Sequence, residues 1–299
     1  MHTKHIGGQA VIEGVMMKSP SGWSVAVRNP KGDIEHKTVT TRKLPRFLRL
    51  PVLRGVVALF HALFIGIKAI EYSGNVAYQE EEKSLSTWSM GSSIVIAVLL
   101  AIALFIVLPL YVTKLMGGVV EVVSRSSFAF NLVDGILRVI VFLIYVFAIG
   151  LWKEMRRIYE YHGAEHKVIY AYEAGEDLTV ESAKKHKPYH PRCGTSFLLI
   201  VMVTSIIVFT FIPKEWSFAW KAASRLILIP AIAGISYEIL RSSAKLQNHA
   251  WSRIVAAPGL LLQRMTVREP DNSQIEVALS ALQEVLKLEA MSAEVTREC

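Results

Sequence analysis

At 299 residues, 52% hydrophobic and 19% charged, with a mean hydropathy of +0.37, the chain is too apolar for a disordered segment or an ordinary water-soluble domain. Its formal charge of +8 comes from 33 Lys and Arg against 25 Asp and Glu, crowded outside a few long apolar runs. That is the distribution of an integral membrane protein, whose cytoplasmic loops collect basic residues, so the excess does not point to nucleic acid.

The start, Met1 to Gly8, lacks the apolar stretch of a signal peptide, so the amino terminus is expected to stay on the chain. The run from Gly7 to Met17 holds one carboxylate, Glu13, among apolar residues and glycines, where it either completes a metal shell or caps a buried donor. Trp23, Val25 and Val27 alternate with small or polar residues, Asn29-Pro30-Lys31-Gly32 supplies turn chemistry, and Ile34, His36, Thr38 and Thr40 alternate again. Residues 1–50 therefore read as a cytoplasmic region built on a β-hairpin. Thr41 to Arg49 is a basic link suited to an anionic inner leaflet. In residues 51–70, Arg54, His61 and Lys68 recur every seven positions on one helix face, which predicts an amphipathic helix lying in the interface or packed against the bundle rather than a crossing.

Four apolar runs follow, centred on Ile94 to Val112, Leu132 to Trp152, Gly194 to Pro213 and Ala222 to Leu240. At about 1.5 Å per residue, such runs cross a hydrocarbon core of roughly 30 Å. Residues 91–152 and 194–240 are thus expected to hold two spans each, and Asp134 and Arg138, four apart, to pair along one helix face. Lys and Arg gather before the first run, between the second and third, and after Leu240. That places both termini and residues 153–193 on the cytoplasmic side of the inner membrane. In residues 241–299, Pro258 to Pro270 reads as a solvated linker more readily than as a docking segment, Ile275 to Leu288 as a capped amphipathic helix and Met291 to Cys299 as a loose tail. The expected fold is an α-helical polytopic membrane protein with about four transmembrane helices, an interfacial helix, a small amino-terminal β-hairpin region and a cytoplasmic helical loop.

The sharpest chemical signal is His162-Gly163-Ala164-Glu165-His166, inside a predicted helix from Glu154 to Tyr172. Residues four apart face the same way, so both imidazoles are placed to hold one divalent ion, zinc by donor type, with Glu165 beside them as a base or a further ligand. The order His-x-x-Glu-His is that of the inverted zincins. The competing reading is an amphipathic surface helix whose histidines only bond headgroups or carbonyls. Gly163 signals a bend or an irregular segment. Before the third run, His190 between two prolines and Cys193 supply candidate third and fourth ligands, although a lone cysteine at a helix mouth is more often a small buried residue. With only Cys193 and Cys299 in the chain, no disulfide framework is implied. Glu238 lies on the same side in the last turn of the fourth run, where a carboxylate is paired or functional, and joins the metal candidates.

Three blocks carry a resemblance: Gly7 to Met17 (Gly-Gly-Gln-Ala-Val-Ile-Glu-Gly-Val-Met-Met), His162 to Lys167 (His-Gly-Ala-Glu-His-Lys) and His190 to Phe197 (His-Pro-Arg-Cys-Gly-Thr-Ser-Phe). They resemble the YqhQ-like family of bacterial membrane proteins, over about Gly7 to Leu288. The resemblance implies a membrane protein and a predicted metal-dependent enzyme, with Glu13, His162, Glu165, His166, His190 and Cys193 as functional positions, and names no substrate. The function expected is a hydrolase-like metalloenzyme at the cytoplasmic membrane face, with Glu165 as base and a membrane protein or lipid as substrate. The alternative is a metal-stabilised scaffold that recruits partners, as a monomer or an oligomer. Transport is disfavoured because the apolar runs hold few ionisable residues.

Overall fold

The computed structural model describes residues 6–41, 45–78, 87–191, 193–245 and 250–298. Parts of the expected basic link, of the central loop charge and of the two termini, residues 42–44, 192, 1–5 and 299, lie outside the described residues. Strands β1 (Gly7–Val11), β2 (Gly14–Lys18), β3 (Gly22–Arg28) and β4 (Ile34–Thr40) form an antiparallel meander in chain order. The expected hairpin is β3 and β4. A further hairpin, β1 and β2, precedes it, and its glycines hide it from an apolar alternation count. A Cβ at Gly14 would lie 2.2 Å from the Ala26 carbonyl oxygen, so this strand pair closes only with glycine there.

The helices are α1 (Leu53–Ala77), α2 (Thr87–Ile102), α3 (Leu108–Gly117), α4 (Glu121–Arg125), α5 (Ser127–Ile149) and α6 (Lys153–Ala174). They continue with α7 (Val180–Lys184), α8 (Gly194–Phe209), α9 (Phe218–Lys245), α10 (Ala250–Thr266) and α11 (Asn272–Glu298). Alternation divides the sheet between two partners. Val11, Met16, Trp23, Val25 and Val27 pack on Ile65, Ala69 and Val76 of α1. Val15, Met17 and Ala26 meet Tyr161, Ala164 and Val168 of α6 and Ile275, Ala278 and Leu282 of α11. The sheet is thus the middle layer of three. Because α11 runs on to Glu298, the expected loose tail from Met291 is helical instead.

Among the described residues, four helical stretches are long and apolar enough to cross a membrane: Leu53–Ala77, Gly91–Gly117, Ser127–Ile149 and Phe218–Ser243. This set differs from the sequence expectation at two places. Gly194–Phe209 is apolar but only 16 residues long, about 24 Å at 1.5 Å per residue, because the chain turns at Thr210 and reaches Pro213, which cannot continue a helix. The segment expected to lie in the interface extends to Ala77 and meets the length and composition of a span, while laying Ile65, Ala69 and Val76 on the sheet.

Helices α5, α8 and α9 share a buried polar knot that also takes in the Phe105 carbonyl. Asp134, fully buried, accepts at Oδ2 from Arg138 Nη2 (2.7 Å) and from Arg225 Nη2 (2.8 Å) and Nε (3.1 Å). Arg225 also donates to Asn131 Oδ1 at 3.1 Å, and Arg138 to Ser205 Oγ at 3.3 Å and to the Phe105 carbonyl at 3.0 Å. That carbonyl is available because Pro109, four residues on, has no N–H to give it, and Ala103–Val107 opens into a π turn. The Asp134–Arg138 pair matches its i,i+4 spacing, whereas Arg225 is the partner that ties α9 to α5.

Candidate metal centre

Helix α6 buries Tyr161, Ala164, Val168 and Ala171 at spacings of three and four, and Gly175 ends it in the left-handed region at φ 70°. It stays helical through Gly163, which rules out the irregular segment that this glycine could have signalled. A Cβ at Gly163 would lie 2.0 Å from the Arg268 carbonyl oxygen, and the Arg268 N–H donates to the Tyr159 carbonyl at 2.9 Å. Gly163 is therefore a seat for the tract after α10. The stretch from Pro258 to Pro270, expected as a solvated linker, is a wall of the site. Gly163→Ala is expected to push that wall away at a cost of about 1–3 kcal/mol; an unchanged melting temperature in detergent would contradict the close approach.

The same face of α6 carries His162 and His166, with ring centroids 4.5 Å apart. Their Nδ1 atoms face backbone carbonyls, of Thr266 at 2.9 Å and of Pro188 at 2.5 Å. A carbonyl only accepts, so each Nδ1 carries the proton and each Nε2 keeps its lone pair. His162 Nε2 lies 3.2 Å from Cys193 Sγ. His166 Nε2 is buried without a hydrogen-bond partner. Cys193 caps the amino end of α8, its sulfur accepting from Thr195 Oγ1 at 3.2 Å and from the Thr195 N–H at 3.5 Å. One ligand atom from each of His162, His166 and Cys193 lies within 4.8 Å of the other two.

Two imidazole lone pairs and a sulfur, each imidazole backed by a carbonyl, suit zinc in donor type and in supporting contacts. His166 Nε2, buried with no hydrogen-bond partner placed on it among the described residues, is left for such a shared ligand. Burial lowers the His166 pKa below the ordinary imidazole value and so favours the neutral, ligating form. Glu165 adjoins the group, with Oε2 3.7 Å from His166 Nε2. Its burial raises the carboxyl above the usual range, against the pull of His162, His190 and the Gly8 N–H that donates to it. Strand β1 lies tight on this carboxylate: a Cβ at Gly8 would sit 2.6 Å from Glu165 Cγ.

The other sequence candidates are placed differently. His190 is a neighbour, its ring centroid 5.7 Å from that of His166 and its Nε2 3.3 Å from Glu173 Oε2. Gln263 clasps its backbone, accepting from the His190 N–H at 2.8 Å and donating to its carbonyl at 2.9 Å. Glu13 pairs with Arg157 and accepts from Tyr161 Oη at 3.3 Å, which binds the β1–β2 turn to α6. Glu238 pairs with Arg54, its Oε1 accepting from Arg54 Nε at 2.6 Å and from the Val52 N–H at 3.2 Å. The fold thus gathers His162, His166 and Cys193, sets Glu165 alongside and His190 next to them, and engages Glu13 and Glu238 with arginines. In the sequence, Gln263 falls in a tract weighed as a docking segment for this face, and the glycines from Gly7 permit close backbone approach; sequence reasoning missed the carbonyls of Pro188 and Thr266, for which residue identity gives no signal.

Residues 50–288 match the family described as Protein of unknown function (DUF1385), and the chain belongs to that family. It is 30% identical over 308 residues to Uncharacterized protein YqhQ of Bacillus subtilis (strain 168), a match that covers 96% of this chain and 93% of the relative. No solved structure matches the chain. Neither description gives a metal or a reaction.

Proposed function

We propose that this member of the DUF1385 family is a membrane-embedded, zinc-dependent hydrolase with its site at the cytoplasmic face. The observation that carries the reading is the pair of carbonyl-backed imidazoles whose Nε2 atoms are left for a shared partner with Cys193 Sγ. Among the described residues the group holds three protein donors, the complement of a catalytic site, whereas a structural zinc takes four. His190, next to the pair, has its Nε2 3.3 Å from Glu173 Oε2 rather than in that group. When bound, zinc would supply Lewis acidity toward an oxygen of water or substrate. Glu165, whose Oε2 lies 3.7 Å from His166 Nε2, is the side chain placed to take the proton of the attacking nucleophile. The Gly8 N–H supports the carboxylate, and β1 approaches it too closely for a side chain at Gly8.

Basic loops support a cytoplasmic position for the sheet, α6 and α11. Exposed Val95, Leu99 and Leu100 of α2 and Ile140, Ile144 and Phe147 of α5 suit a lipid environment. With α1 resting on the sheet, its exposed Phe60, Leu63, Phe64 and Ile67 enter the inner leaflet, and the substrate is a lipid or membrane protein reached from there. Metal removal tests the reading. A strong chelator at neutral pH is expected to lower the melting temperature of the purified protein, and zinc, but not magnesium, to restore it, since sulfur and imidazole donors select against magnesium. An unchanged melting temperature in protein shown to carry zinc beforehand would count against it.

A further inference from the structure

A cleft of about 360 Å³, lined in part by Lys18, Arg54, His61, Tyr237 and Arg241, opens beside the crossing of α1 and α9. None of its lining residues belongs to the His162 group. The crossing is backbone to backbone. A Cβ at Gly55 would lie 2.8 Å from Gly234 Cα, and one at Gly234 would lie 2.6 Å from the Val52 carbonyl oxygen. Val52, a β-branched residue, takes φ 64° just before α1, a costly conformation that persists only where its surroundings over-determine it. Glu238 does so, accepting from the Val52 N–H while it holds Arg54. The strained entry thereby turns Arg54 into the cleft wall.

The charges there are unbalanced. Three cations, Lys18, Arg54 and Arg241, line the cleft with no carboxylate among its described lining residues, while Glu238 beside it pairs with Arg54 and also feels Arg241. Lys18 Nζ lies 3.3 Å from His61 Nδ1, and Arg241 is exposed. On the chain next to the cleft wall, Phe47, Leu50 and Leu53 are also exposed. Basic groups in a concavity flanked by apolar side chains are the two halves of a site for an anionic amphiphile.

We infer that the cleft binds a phosphate group through Lys18, Arg54 and Arg241, carried either by a lipid headgroup, with Phe47, Leu50 and Leu53 among its acyl chains, or by a soluble phosphate. The site is independent of the metal reading. The test uses the purified full-length chain in neutral detergent, titrated by calorimetry with dihexanoyl phosphatidic acid, dihexanoylglycerol and inorganic phosphate. Phosphatidic acid is expected to bind, and Lys18→Gln and Arg241→Gln each to weaken it about tenfold with melting temperature and zinc content unchanged. Inorganic phosphate binding at least tenfold more weakly assigns the site to lipid; equal binding assigns it to soluble phosphate. If neither phosphate ligand binds, if dihexanoylglycerol binds as well as phosphatidic acid, or if both variants bind like wild type, the proposal is overturned.

Discussion

Glu165→Gln is expected to retain one zinc per chain and the wild-type melting temperature while lowering turnover by about 10²–10⁴-fold, read as failure to complement a deletion strain. The amide keeps the size of the side chain and still accepts from the Gly8 N–H, so the contact with β1 survives. It introduces no buried charge. What is lost is the ability to take a proton beside His166 Nε2. In a scaffold the same exchange leaves complementation intact, because a neutral amide fills the space equally well. Full metal with intact complementation would remove Glu165 as base and favour the scaffold.

The largest effect on stability is expected at Asp134. Asp134→Asn removes the carboxylate shared by Arg138 and Arg225, of which Arg225 is only 1% exposed. Two guanidiniums then share a buried space with no counter-charge from that residue, which costs about 3–5 kcal/mol in comparable buried pairs. Denaturation in mild detergent should show the loss, with zinc content unchanged. The combined variant Asp134→Asn, Arg225→Gln should cost less than the two single changes added together, since they remove one shared interaction. A loss below about 1 kcal/mol for Asp134→Asn would mean that the knot does not hold the bundle.

The sequence showed its periodic elements well, and its contacts across distance poorly. Helix α6, the β3–β4 hairpin and the amphipathic start of α11 repeat apolar residues at periods their own neighbours reveal. The β1–β2 pair was hidden because Gly7, Gly8 and Gly14 sit where apolar residues would mark a strand; Gly8 is packed closely on Glu165 and Gly14 on Ala26. Helix α8 ends at Phe209, short of the run expected to reach Pro213, since hydropathy does not register the turn there, and α1 runs on to Ala77, past the expected end at Ile70. At the site, the His-x-x-Glu-His spacing predicted the shared face of the two imidazoles. Cys193, 27 residues beyond His166 by its number, was placed only by composition and topology. The backing carbonyls of Pro188 and Thr266 leave no trace in residue identity at all, because every residue has a carbonyl. Glu13 and Glu238 were chosen as carboxylates at suggestive places, and their arginine partners, Arg157 and Arg54, lie too far along the chain for spacing to reveal.

X-ray absorption at the zinc edge, on protein purified without chelator and on its His162→Ala, His166→Ala and Cys193→Ala variants, tests the central claim most directly. The account predicts one zinc per wild-type chain with one sulfur at about 2.3 Å and two imidazole nitrogens at about 2.0 Å. Each variant should lose affinity by more than the roughly 10–100-fold that removal of a supporting group costs. Wild-type protein that takes up no zinc when supplied with it, or a bound zinc whose spectrum shows no sulfur and survives all three substitutions, would contradict it.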